Sequence, residues 1–230
     1  MSSISAEMFT SVSMLNISVF GLFLLFIVAL SSSAYVKIAT VLSLLRAGLG
    51  ASTIPGFLIT GVFAVTLSFF VMYPVIYKSL SAVESKLSGE SEASDLLKIQ
   101  ALEAGMDVWK EFADKHAHPI EKERFLALSI RGLSSEQGVT ADPDVVKHSW
   151  QVLAPAFLVS ELKEAFATGL SVLLPLLVID LLVAHILAGI GLMNVNAHVI
   201  SFPFKVLLFV MVDGWSLITN NLLATYLGRL

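Results

Sequence analysis

The chain contains no cysteine, which excludes disulfides, thiol nucleophiles and thiolate metal sites alike. Charge is nearly as scarce. Only 14% of the 230 residues are Asp, Glu, Lys or Arg, against 56% hydrophobic, whereas soluble domains average about 25% charged. That balance excludes an ordinary soluble domain and marks an integral membrane protein. The formal net charge is −4, and no basic patch of the nucleic-acid type occurs anywhere. No HExxH, G-x-S-x-G, P-loop or Gly-rich dinucleotide motif is present, so the familiar enzyme signatures are missing. Residues 1–16 carry Glu7 and no lysine or arginine, unlike a secretory signal, which opens on positive charge. No internal repeat of fixed period is visible.

What the chain has in quantity is apolar sequence. Four long runs stand out: Ile17–Leu30, extendable through serines to Tyr35; Phe57–Tyr77; Leu170–Leu192; and Ser201–Leu217. Each approaches the roughly 20 residues that span a bilayer as a helix. The last two, joined by a short turn at Gly191–Ser201, predict a helical hairpin. Between the second and third runs lies a polar insert. Residues 78–164 hold ten of the 14 basic and 15 of the 18 acidic residues. Within it, Leu96, Ile99, Leu102, Met106, Trp109 and Phe112 recur at helical steps, predicting an amphipathic helix with that stripe as its core face. Pro119 and Gly132 predict the limits of a second helix, and D-P-D at 142–144 predicts a third start, with Asp142 as N-cap. The division that follows is 1–77 hydrophobic helices, 78–159 polar helical insert and 160–230 hydrophobic hairpin.

The charges left inside the apolar runs are the informative residues. Lys205 and Asp213 sit in the fourth run, Asp180 and His185 in the third, and Lys37 and Arg46 flank an apolar stretch after the first. A charge near the bilayer centre costs about 2.5–3.5 kcal/mol even on insertion scales. Lys205 and Asp213 are about 12 Å apart along a helix, too far to pair, so each needs a partner elsewhere. His185 reads as a satisfied core residue. Asp180 and Asp213 could form a carboxylate dyad of the intramembrane-protease kind, but Lys205 lies between them in sequence. A self-contained ion- or proton-coupled transporter uses such residues as relays, although four runs without an inverted repeat make a small one. The two cations of 37–46 place that segment in the cytoplasm by the positive-inside rule and the insert on the outer side.

Five stretches carry a resemblance. K-I-A-T-V-L-S-L-L-R-A-G-L-G (37–50), S-F-F-V-M-Y-P-V (68–75), S-E-L-K-E-A-F (160–166), P-L-L-V-I-D-L-L-V-A (175–184) and F-P-F-K-V-L-L-F-V-M-V-D-G-W (202–215) together resemble the SctR/FliP family, the export-gate subunits of bacterial type III secretion systems. The virulence injectisome branch is the better match, with the flagellar exporter as the alternative. The resemblance implies an all-α protein of membrane-type hairpins that assembles as a pentameric spiral. SctS-like and SctT-like subunits, needle-base proteins and unfolded substrates would be its partners, in the bacterial inner membrane with the insert periplasmic. It implies no catalysis and no cofactor, and it means the apolar runs can be covered by partner helices rather than lipid. By the same resemblance Glu161, Asp180 and Lys205, with Lys37, Arg46 and Asp213 beside them, form an inter-subunit charge network. The turn carrying Leu192, Met193 and Val195 forms the gate, where the family has a methionine cluster and this chain keeps Met193 alone.

Overall fold

A computed structural model describes residues 19–20, 29–50, 57–87, 95–136 and 142–228. Among these residues all regular structure is helical. Eight helices follow one another: α1 (Tyr35–Leu49), α2 (Phe57–Leu87), α3 (Asp95–His116), α4 (Pro119–Glu136), α5 (Pro143–Lys147), α6 (Trp150–Gly189), α7 (Ala197–Met211) and α8 (Gly214–Leu227). Most of the first apolar run lies outside the described residues. Its end shows that the serines break the helix rather than extend it. Ser33 Oγ donates to the Leu30 carbonyl at 2.8 Å and accepts from the Tyr35 amide at 3.3 Å, a local bond that competes with helical pairing.

The architecture rests on α6. At 40 residues it is about 60 Å long, and it accommodates both Pro155 and Pro175 without a break. α1 lies along it, burying Ile38, Val41, Leu42 and Leu45 on one stripe. Close approach depends on two glycines. A Cβ on Gly48 would lie 2.7 Å from a Leu173 methyl, and one on Gly169 would run into a Leu44 methyl. α1 then stops at Gly50, whose φ of +78° closes the helix in the left-handed region. The hydrophobic centre gathers Phe112, Phe157, Leu153 and Tyr226 with the α1 stripe and Val71, Met72 and Val75 of α2.

By length and composition α2 and α6 can each cross a membrane, and α7 with α8 make a third span if taken as one bent segment. The fourth run is therefore not the continuous helix the sequence suggested. It bends by 61° between Met211 and Gly214. Asp213 adopts φ +48° there, a conformation Asp reaches more readily than most residues because its short side chain tolerates the left-handed region. Gly214 follows, and the Phe209 ring occupies the space a Cβ there would need. Trp215 then packs edge-on against Phe209 at 5.3 Å and Phe63 at 5.5 Å.

The insert is carried on extensions of α2 and α6, which run unbroken through residues 77–78 and 159–160. Two expectations for it change, as does one for α6. The expected stripe divides: Leu96, Ile99, Leu102 and Met106 are exposed, whereas Trp109 is half-buried against the core and Phe112 is buried. α3 instead buries Ala101, Gly105, Phe112, Ala113 and His116, because Gly105 lets it meet α2, where Ser79 Oγ donates to the Gly105 carbonyl at 3.0 Å. α4 continues past Gly132 to Glu136; one glycine costs a helix interior only about 1 kcal/mol. His185 is exposed, its Nδ1 2.7 Å from the Leu181 carbonyl. The D-P-D start is present, with Asp142 accepting from the Asp144 amide at 3.1 Å.

The bend generates a paired prediction. Gly214→Ala should destabilise the chain by about 1–3 kcal/mol and shift the Trp215 emission. Gly61→Ala, where a Cβ meets open space, should be neutral or stabilising by up to about 1 kcal/mol. Thermal melting in detergent, followed by fluorescence, reads both.

Candidate functional site

Two buried lysines organise the interior, each held by groups from two other helices. α7 buries a single row, Ser201, Lys205 and Phe209, spaced four apart so that all three face α6. Lys205 is fully buried. Its Nζ donates to Asp180 Oδ2 at 2.6 Å and to the Gly48 carbonyl at 2.8 Å. Ser201 donates to the other Asp180 oxygen, and His198 Nδ1 stands 3.4 Å from Oδ2. The Gly48 carbonyl belongs to the last turn of α1, the negative end of that helix dipole, so it suits an ammonium. One residue thus ties α1, α6 and α7 together.

Lys37 forms the second centre, also buried. Its Nζ is bonded to Glu164, lies 3.8 Å from Glu161 Oε2 and sits 4.7 Å above the Tyr226 ring, a cation–π geometry. The Tyr226 hydroxyl donates to Glu161, which is itself fully buried. Glu164 reaches outward as well, its Oε1 2.9 Å from His118 Nε2 at the turn between α3 and α4. The backbone amide of His118 donates to Ser160 Oγ at 2.8 Å. Lys163 bonds Glu121, with Arg124 at 3.9 Å from the same carboxylate. The hydrogen bond from Lys163 is the main influence holding the Glu121 carboxyl below its ordinary value. Every polar side chain of S-E-L-K-E, residues 160–164, is thereby engaged: Ser160, Lys163 and Glu164 with the insert, Glu161 and Glu164 with α1, and Glu161 with α8.

The expected site residues separate into three groups. Asp180 and Lys205 meet directly, and Lys37 meets Glu161; these contacts are made within one chain. Arg46 is half-buried in the last turn of α1, beside an apolar cleft. Asp213 is exposed at the bend, and its side chain caps nothing. Leu192, Met193 and Val195 occupy the tip between α6 and α7, all exposed, with Met193 at 79%. Gly191 turns that tip with φ +80°. The groups missed from sequence are Glu164, His118, Tyr226 and Ser201. Glu164 was findable, because it lies three residues from Glu161 on the same helix face. Among the described residues no group of three or more His, Cys, Asp or Glu is placed to hold a metal ion.

All the residues that build both centres, except Tyr226, fall inside the stretch that matches one family. Residues 17–222 match the sequence profile of the FliP family. The chain belongs to that family. Among its relatives, the hypersensitivity response secretion protein HrcR of Ralstonia nicotianae is 34% identical over 200 residues, covering 86% of this chain and 89% of that protein. The Yop proteins translocation protein R of Yersinia pestis is 33% identical over 205 residues, covering 89% and 92%. The flagellar biosynthetic protein FliP of Cereibacter sphaeroides is 38% identical over 204 residues, covering 87% of this chain and 62% of that one.

Removing one partner of a buried pair leaves an uncompensated charge, at a cost of about 3–5 kcal/mol. Asp180→Asn should therefore lower the melting temperature of the purified chain sharply, while Asp180→Leu combined with Lys205→Met should recover most of the loss. Glu121 gives a pH dependence. Its folded-state pKa is depressed, so its contribution is complete above the ordinary glutamate value of 4.5 and is lost as pH falls through the lower folded value. Limited proteolysis of the insert should accelerate in that acid range in the native chain. Glu121→Gln and Lys163→Gln should each remove that acid-dependent part.

Proposed function

We propose that this protein is a core structural subunit of a type III secretion export gate. With further copies of itself and with SctS-like and SctT-like subunits, it builds the closed conduit through which unfolded substrates leave the bacterial cytoplasm. The observation that carries this reading is the α6–α7 hairpin. α7 buries only three residues, and its remaining faces present Phe204, Leu207, Val210 and Met211 to the outside. Such a surface requires lipid or neighbouring helices. Membership of the FliP family points to neighbouring helices, and the names of the virulence-type relatives point to the injectisome branch.

The interior charges fit a structural role. Lys205 and Lys37 are bonded to carboxylates at close range, which suits a scaffold better than a relay, and no reaction is assigned to them. Asp213, exposed at the bend, is the charge we assign to a neighbouring copy. The insert, with its acidic balance, lies on the periplasmic side in this reading. The tip residues Leu192, Met193 and Val195 converge from successive copies as the gate. A hydrophobic ring of this kind blocks ions by excluding water, and methionine adapts to varied neighbours through its unbranched thioether.

The test is expression with the SctS-like and SctT-like partners from the same secretion system. The three should co-purify as one complex of defined mass. Leu192→Gly combined with Met193→Gly should leave that complex intact and make cells leak small dyes. An intact complex with unchanged dye retention would place the seal elsewhere, and purification of the chain alone would contradict the assembly.

A further inference from the structure

The insert leaves uncovered part of the face that its sequence marks as a core. Leu96, Ile99, Leu102 and Met106 form an exposed row on α3, and Glu103 stands exposed in the middle of it. Asp95 and Asp107, which flank the row, are paired within the helix, with Lys98 at 3.0 Å and Lys110 at 2.9 Å. Glu103 has no ion pair among the described residues. α4 carries a counterpart of opposite sign. Leu128 is exposed, and Arg131, one turn beyond it and also exposed, has no ion pair among the described residues. Arg124 does not belong to this set, because it lies beside Glu121. α3 leans on α2, where Ser79 meets Gly105, and α4 leans on α6, where Lys163 meets Glu121. Both rows are exposed, so neither covers the other. Both helices leave the turn at Ala117 and His118. Counted from that turn, Leu128 and Met106 lie about 15 and 16 Å along their axes, and Arg131 and Glu103 about 20 and 21 Å. The order outward is the same on each helix, apolar and then charged, with opposite charges.

We propose that these rows are the two halves of a head-to-tail contact between copies of the chain. The α3 row of one copy receives the α4 row of the next, Leu128 against Met106 and Arg131 against Glu103. The contact rests on the reading that copies stand side by side in a gate, and it continues into the polar insert the assembly that the uncovered α7 face requires. The two halves differ, so the contact is heterologous. Each copy keeps one half for the neighbour on either side, which builds a ring or a spiral rather than a closed pair. The apolar residues supply the burial, as an exposed apolar row at an interface does. The ion pair adds little affinity where water reaches it. Its part is to fix the register and reject a wrongly placed neighbour.

The chain has no cysteine, so an engineered pair reports on the contact without background. The full chain is expressed with the SctS-like and SctT-like subunits and oxidised in membranes. Met106→Cys combined with Leu128→Cys should give a ladder of dimers, trimers and larger species on a non-reducing gel. Either change alone should give monomer, and the two single variants expressed together should give dimer and nothing larger. Ile99→Cys in place of Met106→Cys, about 10 Å further along α3, should abolish the ladder. Glu103→Arg should slow the cross-linking about tenfold by setting two cations together, and adding Arg131→Glu should restore it. Helix content by circular dichroism checks the folding of each variant. Dimers from Met106→Cys alone would overturn the proposal, as would a charge reversal that the second change does not rescue. A co-purifying complex without a ladder would overturn the contact and leave the gate reading standing. A ladder without co-purification of the partners would do the reverse, and the absence of both would overturn both.

Discussion

An ammonium group cannot be taken out of water alone, and this requirement shapes the molecule. Lys37 and Lys205 are each almost wholly enclosed. Each must find carboxylates and carbonyls in fixed positions, because the transfer of an isolated ion to an apolar interior is prohibitive. Lys205 takes Asp180 and the end of α1; Lys37 takes Glu161, Glu164 and the face of Tyr226. Apolar packing alone would leave α1 free to slide along α6, since aliphatic side chains are interchangeable at small cost. The two ion centres, one near each end of α1, fix that register.

The S-E-L-K-E segment of α6 carries this logic out to the insert. In about one helical turn it presents groups to α1, to the α3–α4 turn, to α4 and to α8. Glu164 is bonded both to Lys37 inside and to His118 at the edge. One carboxylate is thus shared between the buried lysine and the edge of the insert. The contacts form a contiguous charged set between the polar and apolar parts of the chain.

Much of this was legible beforehand, and the failures have a common cause. All-helical structure, the polar insert and the hairpin followed from hydropathy and from scarce charge. Asp180 and Lys205 stood out because charges in apolar runs are costly. Their association was expected through the resemblance, as part of an inter-subunit network; that they also meet within one chain, 25 residues apart through a turn whose geometry periodicity does not specify, was not legible. The α3 stripe misled because Leu96, Ile99, Leu102 and Met106 have the spacing of a core face; Gly105, with no side chain to count, decided which face meets α2. The bend at Asp213 misled similarly. A run of apolar residues states that a segment is covered, by lipid or by protein, and says nothing of its straightness.

The central claim is that Lys37 and the carboxylates of α6 act as one unit that holds α1 in place. A double-mutant cycle with Lys37→Met and Glu161→Gln, read by reversible unfolding in mixed micelles, tests it directly. Groups in one buried ionic network should show a coupling energy of about 1–3 kcal/mol, each single change costing more than its share of the double. Additivity to within about 0.5 kcal/mol, as found for independent sites, would mean that the register of α1 is set by packing alone.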